Sequence, residues 1–124
     1  MKPINDLVSL RDALREFCAA RDWHRFHTPK NLVMALSVEA AELVEQFQWS
    51  TPEESLHPDA AKRAAVADEI ADVLIYLTEL ADVLEIDPIA AARAKIVKNA
   101  AKYPAPPSPN SADILTNLTG PTSS

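Results

Sequence analysis

Apolar residues recur at spacings of three and four through most of the chain, and this periodicity predicts four amphipathic helices. The predicted helices cover about residues 5–21, 28–49, 59–84 and 87–103. Thr28 before Pro29 and Asp87 before Pro88 are favourable helix starts, because a short polar side chain can cap the first free amides. The third helix is the most apolar and is expected to be central. Short connections between the helices favour an all-α four-helix bundle.

The composition agrees with one helical domain followed by a tail. The chain has 124 residues, which suits one domain, and 48% of them are hydrophobic. Its single glycine, Gly120, argues against a β-sandwich or barrel and against any glycine-rich phosphate loop. Residues 105–124 are rich in proline, serine and threonine. We therefore expect a folded domain over residues 1–104 and a disordered tail over residues 105–124.

Charge and cysteine content restrict the partners and the compartment. The net charge of −6 argues against a nucleic-acid polymer as partner, since such proteins usually carry a basic face. Cys18 is the only cysteine, so an internal disulfide is excluded, and a small buried packing role suits it. No stretch has the length and apolar character of a signal peptide or a membrane span. We expect a cytoplasmic protein with no membrane partner.

Two of the predicted helices carry acid pairs inside their apolar stripes. Glu39 and Glu42 are three residues apart on the second helix, and Glu69 and Asp72 repeat that spacing on the third. Residues at this spacing lie on the same side of a helix. Four carboxylates that converge would repel one another, and each buried unpaired charge would cost on the order of several kcal/mol. Arginine or lysine partners, shared protons or a metal ion would each offset that cost.

The residue types favour the metal ion. The inward faces offer few cations, since Lys62 and Arg63 fall near the start of the third helix. Oxygen ligands suit a hard ion such as Mg²⁺, with Mn²⁺ as the alternative. A di-iron bundle would need a Glu-x-x-His motif, and neither pair contains histidine. A single acid pair is more often a solvated surface, and we take Glu45, Asp68 and Glu79 to be ordinary solvated positions.

Three sequence blocks, in this order, resemble the MazG-like all-α nucleoside triphosphate pyrophosphohydrolases. They are "RDWHRFHTPKNLVMALSVEAAELVEQFQW", "DEIADVLIYL" and "KIVKNAAKYP". The resemblance covers about residues 21–104 and is greatest to the dCTP pyrophosphatase branch of the family. It implies Mg²⁺-dependent cleavage of dCTP or a modified dCTP-like nucleotide to the monophosphate and pyrophosphate, as nucleotide-pool clean-up. It also implies a homo-oligomer, either a dimer or a tetramer.

The resemblance assigns roles to individual residues. The metal-binding and catalytic set is Glu39, Glu42, Glu69 and Asp72. The substrate-binding set is Trp23, Phe26, His27, Trp49, Tyr76, Lys95 and Asn99. In this interpretation the aromatic side chains and His27 surround the base, while Lys95 and Asn99 meet the phosphates or support the metal. The alternatives are that Trp23, Phe26 and Trp49 seal the ends of the bundle and that Lys95 and Asn99 lie on an exposed helix edge.

Other functions stay open at the level of sequence. Val38 precedes Glu39, where many MazG-like proteins have a second glutamate, and the dCTP pyrophosphatase branch shares this absence. A related all-α pyrophosphatase could act on another nucleotide, such as dUTP or a phosphoribosyl-ATP-like compound. A non-catalytic helical oligomerisation or nucleotide-sensing module is the alternative of a different class. His24 and His57 are expected at the surface.

Overall fold

The computed structural model describes residues 2–107 and contains five α-helices and one 3₁₀ turn. The elements are α1 (Leu7–Ala20), the 3₁₀ turn (His24–Phe26), α2 (Pro29–Glu45), α3 (Pro52–Ser55), α4 (Ala60–Val83) and α5 (Pro88–Lys102). No strand occurs within residues 2–107. The all-α prediction is confirmed. Most of the predicted tail, residues 108–124, lies outside the described residues.

The four predicted helices correspond to α1, α2, α4 and α5, and the single-turn helix α3 was not predicted. Helix α3 begins because the Thr51 side chain accepts a hydrogen bond from the Glu54 amide, with Pro52 in the first turn. Helix α2 ends at Glu45, four residues before the predicted end. The amide of Phe47 bonds to the carbonyl of Val44, three residues back, so the helix tightens into turns there.

Side-chain caps start the long helices. Asp6, Thr28 and Asp59 precede α1, α2 and α4, and their side-chain oxygens accept bonds from backbone amides at 2.7, 3.3 and 2.8 Å. Each such cap stabilises a helix by about 1 kcal/mol. The sequence-based start of α2 at Thr28 is therefore confirmed, and it fixes where the acid pair of this helix falls.

Two helices end in a left-handed residue that is not glycine. Asp22 follows α1 with φ 53°, and Glu85 follows α4 with φ 55°. After α1, the amide of Trp23 donates to the carbonyl of Cys18 at 3.0 Å, and α4 ends with the same pattern. This is the Schellman motif, in which glycine usually takes the left-handed position. The motif turns the chain back over the end of α1 and sets the position of Trp23.

Helix α4 is the central element of the first part of the chain, as predicted. It packs along α2 and also contacts α1. Within residues 2–107 only Cys18, Leu32 and Thr78 are almost completely buried, one on each of these three helices. Arg15 on α1 forms a paired hydrogen bond with Asp82 on α4, which lowers the pKa of the Asp82 carboxyl. The interior shared by these helices is therefore thin.

The chain divides into two compact units, Met1–Pro88 and Ile89–Ser124. The first contains α1, the 3₁₀ turn, α2, α3 and α4. Of the second, the structure describes residues 89–107, which are mostly helix α5, and all of them are exposed. The expectation of one domain over residues 1–104 stays a prediction. Among residues 2–107, no helix combines the length and apolar character that crossing a bilayer requires.

Candidate active site

The two acid pairs meet where α2 packs against α4. Glu39 and Glu42 extend from α2, and Glu69 and Asp72 extend from α4. Glu39, Glu69 and Asp72 each offer a carboxylate oxygen within 4.8 Å of the other two. The side chain of Glu42 contacts both Glu39 and Glu69. All four residues are half-buried, so the acids converge inside the helix interface rather than on an open surface.

Burial and mutual repulsion disfavour the charged forms of these acids. The pKa of Glu39 is raised to about 7, first by loss of solvent and then by Glu42, with further contributions from Asp72 and Glu69. Loss of solvent followed by Glu42 also raises the pKa of Glu69. One oxygen of each, Oε2, is buried without a hydrogen-bond partner. The cluster therefore requires a positive partner when it is fully ionised.

Basic side chains do not supply that partner. None of the ion pairs formed by residues 2–107 involves the four acids. Lys62, partly buried near the start of α4, donates instead to the backbone carbonyl of Gln46. Shared protons or a metal ion are left to neutralise the cluster. A set of carboxylate oxygens with buried, unpartnered atoms fits a hard divalent cation.

A groove of about 670 Å³ adjoins the acids. It lies between α1, the 3₁₀ region and α4, and Asp72 contributes to its lining. The other side chains that matter here are Trp23, His27, Tyr76 and Glu79. Asp72, Tyr76 and Glu79 recur at spacings of four and three on α4, so they follow one face of that helix. The groove thus leads from the carboxylate cluster to an aromatic wall, at a size suited to a small ligand.

Local contacts position the aromatic wall. The Schellman turn at Asp22 places Trp23 edge-on to Phe17, with ring centroids 5.6 Å apart. The Arg21 guanidinium lies 3.6 Å from the centroid of the Phe17 ring. Trp23 also lies beside His27, at 6.5 Å between ring centroids. Phe17 and His27 therefore flank Trp23 at the groove, and the Arg21 guanidinium also lies 6.0 Å from the centroid of the Trp23 ring.

A sequence model of the MazG-like family matches residues 34–118. Bovine dCTP pyrophosphatase 1 is 42% identical over 115 residues, which is 90% of this chain and 68% of the relative. The chain belongs to the MazG-like family. Human dCTP pyrophosphatase 1 is also 42% identical, over 83% of this chain and 62% of the relative. A crystal structure of a pyrophosphatase from Archaeoglobus fulgidus matches this MazG-like chain with a TM-score of 0.76 and 45% identity, over 85% of this chain and 98% of that one.

Two predicted site residues of the first unit, Phe26 and Trp49, do not contribute to the groove lining. Trp49 is 90% exposed in the turns after α2, and Phe26 is 53% exposed with Arg25 over its ring. Lys95 and Asn99 lie one turn apart on α5, in the second unit, and both are exposed. Within the first unit, the structure of the MazG-like chain therefore brings together the four acids, Trp23, His27 and Tyr76.

The prediction that Glu79 is an ordinary solvated position is wrong. Only 11% of its side chain is exposed, and its Oε1 accepts a hydrogen bond from the Cys18 thiol at 3.3 Å. One sequence feature could have indicated the burial of Glu79: it follows Asp72 by seven residues and so lies two helical turns along the same face. The surface positions predicted for His24 and His57 and the burial predicted for Cys18 are confirmed.

Proposed function

We propose that this MazG-like chain is a Mg²⁺-dependent nucleotide pyrophosphohydrolase that cleaves dCTP or a modified dCTP-like nucleotide to the monophosphate and pyrophosphate. The observation that carries the proposal is the four-carboxylate cluster, with its unpartnered buried oxygens, at one end of an aromatic groove. Identity of about 42% to dCTP pyrophosphatase 1 over most of the chain supports cytosine as the base. A cytoplasmic location is part of the proposal, because its substrate belongs to the nucleotide pool.

Glu39, Glu42, Glu69 and Asp72 would hold the ion, with Mn²⁺ as the alternative metal. When bound, Mg²⁺ supplies positive charge for the phosphate oxygens and lowers the pKa of water to make a nucleophile. The chain's own contribution is to keep four acids in one place at a cost in repulsion, which is visible in the raised pKa values of Glu39 and Glu69. An acidic protein of net charge −6 needs such a cation to admit a triphosphate.

The groove would orient the nucleoside. Trp23 and Tyr76 offer ring surface for the base, and His27 offers a ring nitrogen for a hydrogen bond. Asp72 lines the same groove, so the base end and the phosphate end of the substrate share one continuous surface. Tyr76 lies one turn after Asp72, which fixes the separation of these two functions on a rigid helix. Phe26 and Trp49 stay in the proposal as further aromatic contacts, and Lys95 and Asn99 as phosphate contacts.

A homo-oligomer, dimer or tetramer, completes the proposal. Ile70, Leu74 and Leu77 on α4 are 39–53% exposed, which a solitary helix bundle seldom tolerates. An apolar hollow of about 720 Å³ lies between α2 and α4 and is lined by side chains such as Val44, Phe47 and Ile70. A second copy of this chain would cover these side chains. It would also bring an exposed residue such as Trp49 near another subunit's groove.

The test is pyrophosphate release with Mg²⁺ from a panel of canonical and modified nucleotides, with the monophosphate measured in parallel. Selective cleavage of dCTP or of 5-substituted dCTP is the expected result. Equal cleavage of every nucleotide would retain the acid cluster as the catalytic site and reject the base assignment. Cleavage of dUTP or of a phosphoribosyl-ATP-like compound alone would replace the substrate.

Glu39→Gln and Glu45→Gln form a matched pair for the same assay. Both residues lie on α2 six positions apart, but Glu45 is exposed and outside the acid cluster. Turnover should fall in the first variant and persist in the second. No turnover in the native protein with any nucleotide, together with unchanged assembly, would favour a non-catalytic helical module.

A further inference from the structure

A second group of metal-ligating side chains lies in the first unit, and of its three members only His27 has a role in the proposed hydrolysis. Cys18 on α1, His27 at the end of the 3₁₀ turn and Glu79 on α4 each offer one ligand atom, and these atoms lie within 4.8 Å of one another. Glu79 follows Asp72 by seven residues, about 10 Å along the helix axis. The group is therefore separate from the four-carboxylate cluster and has a different chemistry.

Two separations within this group, each to a different oxygen of Glu79, are close to those around a tetrahedral zinc ion. Cys18 Sγ lies 3.3 Å from Glu79 Oε1, and His27 Nδ1 lies 3.9 Å from Glu79 Oε2. Zinc bonds of about 2.3 Å to sulfur and about 2.0–2.1 Å to nitrogen or oxygen place neighbouring ligand atoms about 3.3–3.6 Å apart. With one atom from each residue, the three ligand atoms lie within 4.8 Å of one another, so small side-chain movements would bring them to coordination distance.

Burial leaves the Glu79 carboxylate with a hydrogen bond from Cys18 and with a His27 ring 3.9 Å away that is charged only when protonated. Cys18 is 2% exposed, and the side chains of Glu79 and His27 are 11% and 18% exposed. Oε2 of Glu79 is buried with no hydrogen-bond partner. An ionised carboxylate in such a place is costly without a positive neighbour or a metal. Burial, followed by the contact with Glu79, raises the pKa of the Cys18 thiol to about 11.

A small cavity borders the group. Its volume is about 20 Å³, and its lining includes Cys18, His27, Thr78 and Glu79. A space of roughly 10–15 Å³ on this scale already admits one water molecule. The cavity therefore has room for one ion or for an ion with one water as its remaining ligand.

We propose that Cys18, His27 and Glu79 form a binding site for one transition-metal ion of the zinc class. One thiolate, one imidazole and one carboxylate suit Zn²⁺ or Co²⁺, whereas Mg²⁺ prefers an all-oxygen site. The ion would link α1, the 3₁₀ region and α4, which are three separate parts of the groove wall. Because the His27 ring lies 6.5 Å from the Trp23 ring, centroid to centroid, a metal held by His27 would also orient the aromatic wall.

Cobalt provides a direct test on the full chain. The protein is freed of metal with a chelator, saturated with Mg²⁺ to occupy the carboxylate cluster, and titrated with Co²⁺. We expect one equivalent to produce a near-ultraviolet sulfur-to-cobalt charge-transfer band, and Zn²⁺ to abolish it by displacement. Cys18→Ala should eliminate the band. His27→Gln and Glu79→Gln should weaken binding by more than tenfold, since even outer partners of a metal ligand are worth 10–100-fold.

Matched controls isolate the site. His24→Gln changes a nearby exposed histidine outside the group, and Glu39→Gln changes the carboxylate cluster, so both should keep the band. Folding of each variant is checked by circular dichroism. If Cys18→Ala does not fold, the measurement is the rise in Tm that Zn²⁺ causes in excess Mg²⁺, expected for the native protein and for His24→Gln but not for His27→Gln.

Three results would overturn the site. The first is absence of the band and of any Zn²⁺-dependent rise in Tm in the native protein. The second is a band that His27→Gln and Glu79→Gln both leave unchanged. The third adds a substrate readout to the first. If the native protein binds no zinc and Glu79→Gln changes the preference between cytosine and uracil nucleotides, these side chains belong to the base pocket. The spectroscopic readouts need no nucleotide, so they stand whether or not the chain hydrolyses dCTP.

Discussion

Glu39 on α2 and Glu69 on α4 touch across the helix interface, and each buries one carboxylate oxygen that has no hydrogen-bond partner. Two acids in contact are unfavourable in a folded protein unless a proton or a cation lies between them. In the proposed function, this pair is the part of the fold whose stability and chemistry would depend most directly on the same ion.

Glu39→Gln should abolish most of the activity while leaving the fold intact. Loss of one ligand is expected to lower kcat/KM roughly 100-fold or more, because even outer partners of a metal are worth 10–100-fold. The metal-free variant should be as stable as the native protein or more stable, since one member of a repelling pair becomes neutral. Steady-state kinetics and thermal unfolding in the presence of a chelator measure the two effects. A large fall in Tm together with the loss of activity would point instead to a structural role for Glu39.

The stability of the metal-free protein should fall as pH rises from about 4.5 to about 7. Glu39 has a folded pKa of about 7 against an ordinary value of 4.5, so the folded state binds more protons than the unfolded state in that interval. Stability decreases with pH wherever the folded state binds the extra proton. Glu69, whose pKa is also raised, acts in the same direction.

Thermal unfolding in a chelator across this pH range measures the effect. Added Mg²⁺ should raise Tm more at pH 7.5 than at pH 5, because it competes with the protons. The slope should flatten in Glu39→Gln and persist in Glu45→Gln. A metal-free Tm that climbs steadily with pH would contradict the assignment of the raised pKa to this cluster.

Trp23→Ala should weaken nucleotide binding without removing the chemistry. Base–aromatic stacking is worth about 1–3 kcal/mol, so KM should rise by roughly 5–150-fold with a smaller change in kcat. Inorganic pyrophosphate as a competitive inhibitor should bind the variant as well as it binds the native protein, because it lacks a base. Equal weakening for pyrophosphate would show that Trp23 supports the whole site rather than the base.

If Trp49 contacts the substrate, we expect that substrate to be bound in the groove of a neighbouring subunit. It is 90% exposed in its own chain and lies outside the groove lining. Mixing unfolded Glu39→Gln and Trp49→Ala chains and refolding them together should then give a kcat/KM above the mean of the two variants. For a twofold dimer formed at random, roughly a quarter of native activity is expected. Failure to complement, with both variants assembled normally, would restrict Trp49 to its own subunit.

Glu85→Gly should stabilise the protein. Glu85 holds a left-handed backbone at φ 55° at the end of α4, which costs a residue with a β-carbon about 1–2 kcal/mol. Glycine removes that strain but loses more entropy on folding, so a net gain of about 0.5–1 kcal/mol is expected. For a chain of this size Tm should rise by several degrees. Glu85→Ala, which removes the carboxylate but keeps the β-carbon, should show no such rise.

Periodicity predicted the long helices and the acid pairs because both depend on local spacing. Thr28 as a cap and Glu39 within an apolar stripe are visible in a single turn of sequence. The left-handed ends at Asp22 and Glu85 were not predictable in this way, since the glycine that usually takes that position is missing.

The contacts of Glu79 could not be predicted from local sequence periodicity either. Its contact with Cys18 spans 61 residues, and α4 carries apolar residues on several sides. No single face of that helix could therefore be recognised as the one that borders the groove.

The prediction that the second helix extends to Trp49 was wrong, because α2 stops at Glu45 and the following turns redirect the chain. Turns whose hydrogen bonds join residues three apart are too short to change the hydrophobic periodicity visibly.

The small hydrophobic interior of the first unit would make the folding stability of the proposed homo-oligomer depend on protein concentration. Three almost fully buried residues within residues 2–107, beside half-exposed Ile70, Leu74 and Leu77, leave much of the hydrophobic stabilisation to be gained on association. In the proposed homo-oligomer, mass action would then govern folding as well as assembly. A lone subunit of that oligomer would be prone to unfold at high dilution, so a cell that makes too little of this protein would lose more activity than the shortfall in copies implies.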